Sequence, residues 1–170
     1  MNNKKFITFG IEEISKMYFC NVTNQDFINK PLGGLWSSEY FPNSSKANNC
    51  CKSDWEFWCR NENFHLERLN KGVVFELKKQ ANIYTVDSYD DLLRLSENYS
   101  YEKYFYGIEI KKYIDFEKMS KDFDGLFLTV EGELQTRYES KMNLYGWDCS
   151  SLLLFNIDVI EKQNKIIFQK

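Results

Sequence analysis

The chain is poor in the residues that mark several large protein classes. It has 2 Pro and 8 Gly in 170 residues, which excludes collagen-like and Pro-rich disordered architectures. It has one histidine, His65, so a Ser–His–Asp or Cys–His hydrolase would depend wholly on Asn63-Phe64-His65-Leu66-Glu67, which carries no nucleophile-elbow signature. Neither the dinucleotide fingerprint G-x-G-x-x-G nor a Walker A motif occurs. The longest strongly apolar run, Leu152 to Phe155, is far too short to cross a bilayer. No apolar stretch follows Lys4 and Lys5, so no signal peptide is read and a cytoplasmic location is expected.

Net charge is also small. With 22 basic and 25 acidic residues the balance is −3, which disfavours a nucleic-acid partner held by bulk positive charge. The five cysteines (Cys20, Cys50, Cys51, Cys59, Cys149) are an odd number and cannot form a fully paired framework. Cys50, Cys51, Cys59 and His65 lack the C-x-x-C knuckles of a zinc site. Free thiols and no metal are expected.

What the chain does have is apolar and aromatic material. Apolar residues reach 43% and aromatics 17%, with 14 Phe, 11 Tyr and 4 Trp, enough for the core of one domain covering residues 1–170. Alternation predicts strands at Lys5–Phe9, Leu35–Ser38, Val73–Leu77, Asn82–Val86, Gly125–Val130, Leu152–Phe155 and Lys165–Phe168. Lys78-Lys79-Gln80 reads as the turn of a β-hairpin joining the third and fourth of these. Helical spacing predicts helices over Ile11–Phe19, from a cap at Asp54 to about Asn61, after Asp87 or Ser88, and after Asp115. In the third, Tyr89, Leu92, Leu93 and Ser96 are expected to face inward. Tyr99–Tyr106 has no clear assignment, and Pro42–Ser53 reads as a surface loop. Six or seven short strands and three or four helices without strict βαβ alternation give an α+β fold.

Two segments carry groups suited to chemistry. In the first, Lys30 supplies a cation, Gly33 and Gly34 can expose N–H groups to a phosphate, and Trp36 offers a stacking face. Ser37 and Ser38 add hydroxyls. The same segment can equally be a hairpin turn with Trp36 in the core. In the second, Trp147 and Asp148 precede the Leu152 strand and place a carboxylate beside an indole. A turn capped by Asp148 is the alternative there. Glu131-Gly132-Glu133 matches the E-x-E element of some mono-ADP-ribosyltransferases, but also fits a charged turn with Arg137 paired to one acid.

Four elements together resemble a family of small proteins from phages and low-GC bacteria. They are Asn29-Lys30-Pro31-x-Gly33-Gly34-Leu35-Trp36-x-Ser38, the Trp55-x-x-Trp58-Cys59 helix, a hairpin into Val86-Asp87-Ser88-x-x-Asp91-Leu92, and Gly146-Trp147-Asp148-x-x-Ser151. The resemblance spans about Phe9 to Ile160. The order of elements is similar to compact ADP-ribosyltransferase-like folds, including small phage anti-CRISPR transferases and RES-type toxins. It implies NAD as co-substrate, Ser37 as the second-strand hydroxyl and Asp148 as the late acid. It also implies Lys30, Gly33, Gly34, Trp36, Ser38 and Trp147 as cofactor-binding residues, and a macromolecular target, most naturally a protein. The early His or Arg of those folds is missing, and Thr8 stands on its strand. The competing expectation is a catalytically inert phage-type inhibitor that occupies a partner's surface.

Overall fold

The computed structural model describes residues 4–42, 51–105 and 108–168. Its centre is a seven-stranded sheet in the order β11-β5-β1-β4-β10-β9-β6. The strands are β1 (Lys5–Phe9), β4 (Leu35–Glu39), β5 (Lys71–Leu77), β6 (Ile83–Val86), β9 (Gly125–Leu128), β10 (Ser151–Leu154) and β11 (Ile160–Ile167). Every pairing is antiparallel except β6 with β9. Two ribbons flank it, β2 (Thr23–Gln25) with β3 (Ile28–Leu32) and β7 (Ser100–Phe105) with β8 (Ile108–Ile114). Four α-helices complete the described residues: α1 (Asp54–Glu62), α2 (Tyr89–Asn98), α3 (Phe116–Met119) and α4 (Val130–Thr136). The fold is therefore α+β, with eleven strands rather than six or seven. None of its described helices is long and apolar enough to cross a membrane.

Register assigns each side chain to a face, because successive strand residues point to opposite sides. Ile7 lies opposite Ser38 and Val74, and Trp36 opposite Leu153, which lies opposite Leu126. This row forms one face. Phe6, Phe75, Leu152, Leu154 and Phe127 form the core of the other, closed by Val159. The first face is covered in two separate places. Over β1 and β5, α1 packs with Ile7, Phe9, Cys59, Leu69 and Val74. Over β6, β9 and β10, α2, α3 and the 142–147 segment supply Leu92, Leu95, Phe116, Met119, Met142, Leu144 and Trp147. Between the two covers a gap remains over β1, β4 and the start of β10. That gap is the cleft described below.

Several sequence expectations need correction. Ile11–Phe19 is not a helix, because side chains from the sheet take over its polar groups. Gln163 accepts from the Ile14 N–H at 2.9 Å and donates to its carbonyl at 3.2 Å. Helical spacing would put Ile14, Met17 and Tyr18 on one apolar face, yet Met17 and Tyr18 are 76% and 72% exposed and only Ile14 packs against the core. β5 and β6 do not form a hairpin. β5 already has β1 and β11 on its two edges, so the Lys78–Gln80 turn carries the chain to the far end of the sheet. Glu131-Gly132-Glu133 is not a turn but the first turn of α4, capped by the Thr129 hydroxyl. In α2, Leu95 is buried in place of the expected Leu93, which is exposed. The last strand begins at Ile160, well before Lys165. The loop expected at Pro42–Ser53 falls largely on 43–50, outside the described residues.

Candidate functional site

The cleft has a cavity of about 470 Å³. Its floor is the first sheet face, with Ile7 and Phe9 from β1, Trp36 and Ser38 from β4, and Ser151 from β10. One wall is α1 and the turn after it, contributing Trp55, Phe64, His65 and Arg68; the other carries Lys30, Trp147 and Asp148. Residues 118 positions apart are thus brought together, since Lys30 Nζ lies 3.2 Å from Asp148 Oδ2.

Asp148 does not cap its own turn. Besides Lys30 it has Arg137 Nη2 3.9 Å from Oδ1, and its side chain is 25% exposed. Arg137 in turn donates to Glu133 at 2.7 Å and to the Trp147 carbonyl at 3.3 Å. A line of alternating charge, Glu133–Arg137–Asp148–Lys30, therefore runs into the cleft. Lys30 Nζ also sits 5.5 Å from the centre of the Trp36 ring. Of the two acids of the E-x-E element, Glu133 joins this line through Arg137. Glu131 is exposed and accepts from Gln135 on its own helix.

The two tryptophans have different roles. Trp147 is 1% exposed, donates its indole N–H to the Asn29 carbonyl at 2.7 Å, and meets Trp36 edge-on at 4.7 Å. It is a core residue that supports the site. Trp36 is partly open and gives the floor its aromatic surface. Opposite it, Trp55 stacks on Trp58 at 5.0 Å, with Phe64 edge-on to both. Aromatic surface on both the floor and a wall of the cleft suits a flat ligand.

The hydroxyls and glycines are placed differently from expectation. Ser37 borders the cavity, but strand alternation turns its side chain to the Leu35 face, where its hydroxyl donates to the Leu152 carbonyl at 3.1 Å. Ser38 is the one on the cleft face. Its hydroxyl donates to the Ser150 carbonyl at 3.2 Å and accepts from the Trp55 N–H at 3.4 Å, which ties α1 to β4. Thr8 donates to the Trp36 carbonyl at 2.9 Å. The Gly34 N–H is taken by the Cys20 carbonyl at 2.8 Å, so it is not offered to a ligand phosphate. Gly33 is not among the cleft residues; a Cβ there would lie 2.2 Å from the Asn21 carbonyl oxygen.

His65 and Arg68 were missed as site residues. Both follow α1, whose end is set by Asn63 at φ 53, and His65 itself has φ 46. Two left-handed residues separated by one position reverse the chain and bring a 3₁₀ turn, Leu66–Asn70, to the cleft rim. Asn63 was the available signal, as Asn tolerates this conformation and closes helices. Below the cleft, burial pushes the Cys59 thiol up to about 11 and the Cys149 thiol up to about 12. Both are protonated at neutral pH and are poor nucleophiles. Cys20, Cys59 and Cys149 are free thiols, and Cys50 lies outside the described residues. Among the described residues no three His, Cys, Asp or Glu side chains are placed to share a metal ion. No family model, curated protein or solved structure matches the chain.

Proposed function

We propose that the cleft binds NAD and that the protein is an ADP-ribosyltransferase-like enzyme acting on a macromolecular target, with Asp148 as its acid. The observation that carries this reading is the convergence of Trp36, Lys30 and Asp148 on one cavity, with the Trp55 wall facing them. NAD cleavage develops positive charge on the ribose at the anomeric carbon. A carboxylate held beside the reacting sugar, in a cleft with several aromatic side chains in its lining, stabilises that charge better than it would in bulk water. Lys30, 3.2 Å from the carboxylate, and Arg137, 3.9 Å from it, hold it in position. Trp36 stacks on the nicotinamide and helps exclude water. Ser37 has no direct part in this scheme, as its hydroxyl faces away, and Ser38 acts by positioning α1.

The test is Asp148→Asn, which keeps shape and removes charge. With millimolar NAD the wild-type melting temperature rises, since only the folded state has the cleft. In the variant this rise persists while nicotinamide release falls by two or more decades, on the order of 3 kcal/mol of transition-state stabilisation. No thermal shift and no nicotinamide release from the wild type would reject the reading.

A second reading, a catalytically inert protein that occupies a partner's surface, is favoured by one feature. Val130, Leu134 and Tyr138 lie exposed along α4 and its end, beside exposed Tyr145. Tyr138 and Tyr145 flank Arg137, whose guanidinium carbon is 5.8 and 5.7 Å from their ring centres. Under this reading NAD is neither bound nor cleaved, and the same titration separates the two.

A further inference from the structure

We infer that Arg68 is the phosphate-binding group of the cleft, so that a nucleotide lies with its phosphates over the end of β1 and its reacting sugar toward Asp148. The inference rests on the proposed nucleotide site and gives it a direction. Three of the four arginines are already paired: Arg60 with Glu56, Arg94 with Asp91 and Arg137 with Glu133. Arg68 has no carboxylate partner among the described residues. The adjacent Glu67 is engaged with His65 Nδ1 at 3.0 Å. A guanidinium left unpaired at the rim of an aromatic cleft is what recognition of a phosphate oxygen pair requires.

Lys30, the expected phosphate cation, is less suited. Its charge is neutralised by Asp148 at 3.2 Å, and a ligand phosphate there would compete with that carboxylate. Arg68 is also held in place. Leu69 buries its side chain in the core, the Arg68 N–H bonds the His65 carbonyl at 2.9 Å, and the guanidinium lies across Gly10. A Cβ on Gly10 would stand 2.6 Å from Arg68 Nε, and Gly10 has φ +81. The absence of a side chain at the end of β1 is thus what makes room for the arginine. The site supplies on a 3₁₀ turn the basic group that the N-terminal strand lacks.

The experiment titrates the intrinsic tryptophan fluorescence of the intact protein with ADP, inorganic pyrophosphate and adenosine at physiological ionic strength. Wild type binds ADP at least about tenfold more tightly than adenosine. Arg68→Ala weakens ADP and pyrophosphate by about tenfold or more and leaves adenosine unchanged, while Arg68→Lys recovers part of the loss. Arg60→Ala, a surface arginine outside the cleft, leaves all three unchanged. Equal binding of ADP by wild type and Arg68→Ala overturns the inference, as does equal binding of ADP and adenosine, or no binding of any probe, by wild type. The two readings fail separately. An Arg68-dependent ADP site with no NAD cleavage removes the enzyme and leaves the phosphate site. Cleavage of NAD with an affinity indifferent to Arg68→Ala does the reverse.

Discussion

Gly34 shows how one residue fixes the position of the site. Its φ is +65, and a Cβ there would lie 2.4 Å from Leu153 Cδ1 and 2.9 Å from the Leu154 carbonyl oxygen. The bend lets the chain leave the β2–β3 ribbon and enter the central sheet as β4 without pushing β10 aside, which sets Trp36 opposite Leu153. Gly34→Ala therefore meets both a strained backbone and a packed neighbour, and a loss of about 2 kcal/mol is expected. Urea unfolding checks it, and a midpoint equal to wild type would show that the strand can shift at no cost. The pair Gly33-Gly34 was legible in the sequence as a bend but not in its purpose. Composition shows that backbone comes close to something there. It does not show that the something is Asn21 and Leu153 rather than a ligand.

At the scale of elements, α1 depends on one buried serine. Ser53 is 1% exposed, caps the helix by accepting from the Glu56 N–H at 3.0 Å, and begins the segment that carries Trp55 to the cleft. Ser53→Ala removes the cap, costing about 1 kcal/mol, and loosens the wall opposite Asp148. Thermal unfolding reads the first effect, and a weaker tryptophan response to ADP reads the second. Unchanged stability would mean that Asp54 takes over the cap. Elements with local causes were readable in the sequence: α1 from its apolar spacing, though Ser53 rather than the expected Asp54 caps it, α2 from cap and spacing, and β9 and β10 from continuous apolar runs buried on both faces. Elements with distant causes were not. Ile11–Phe19 has helical spacing, yet Gln163, 149 positions away from Ile14, satisfies its backbone. β2 and β3 have weak strand patterns and exist because Asn24 and Asn29 bond to the segment around α3 and β8. Asn24 accepts from the Phe116 N–H at 2.8 Å, and Asn29 from the Ile114 N–H at 2.7 Å. The candidate site divides in the same way. Lys30, Trp36 and Asp148 stood out as unusual residue combinations, whereas Arg68 and His65 reach the rim only through two left-handed residues, Asn63 and His65, on either side of Phe64.

Across the whole molecule, Glu12 links the segment that follows β1 to β5 and to the last strand, β11. Its carboxylate sits 2.9 Å from Lys71 on β5 and 2.7 Å from Lys165 on β11, so it ties the irregular N-terminal segment to two neighbouring strands. Thiol titration gives a simple check on global integrity before this link is examined. Native protein hides Cys51, Cys59 and Cys149 and exposes Cys20, and denaturation under reducing conditions releases all five thiols. The Glu12 link has its own signature in pH. Hydrogen bonds from Lys165 and Lys71, reinforced by their charges, lower its carboxyl from the ordinary 4.5 to about 2. The folded-state value is depressed, so the stabilisation is fully present above about pH 4.5 and is lost as pH falls toward about 2. Both lysines remain charged throughout, and only the carboxylate changes state. Many other carboxylates titrate in the same window, so the informative quantity is a difference between two proteins. Glu12→Gln is less stable than wild type at neutral pH, and the gap between their melting temperatures narrows steadily from pH 4.5 to 2. The contact is exposed, so added salt at neutral pH narrows the gap as well. A gap that stays constant through the acid window would assign the effect of the substitution to something other than the charge on Glu12.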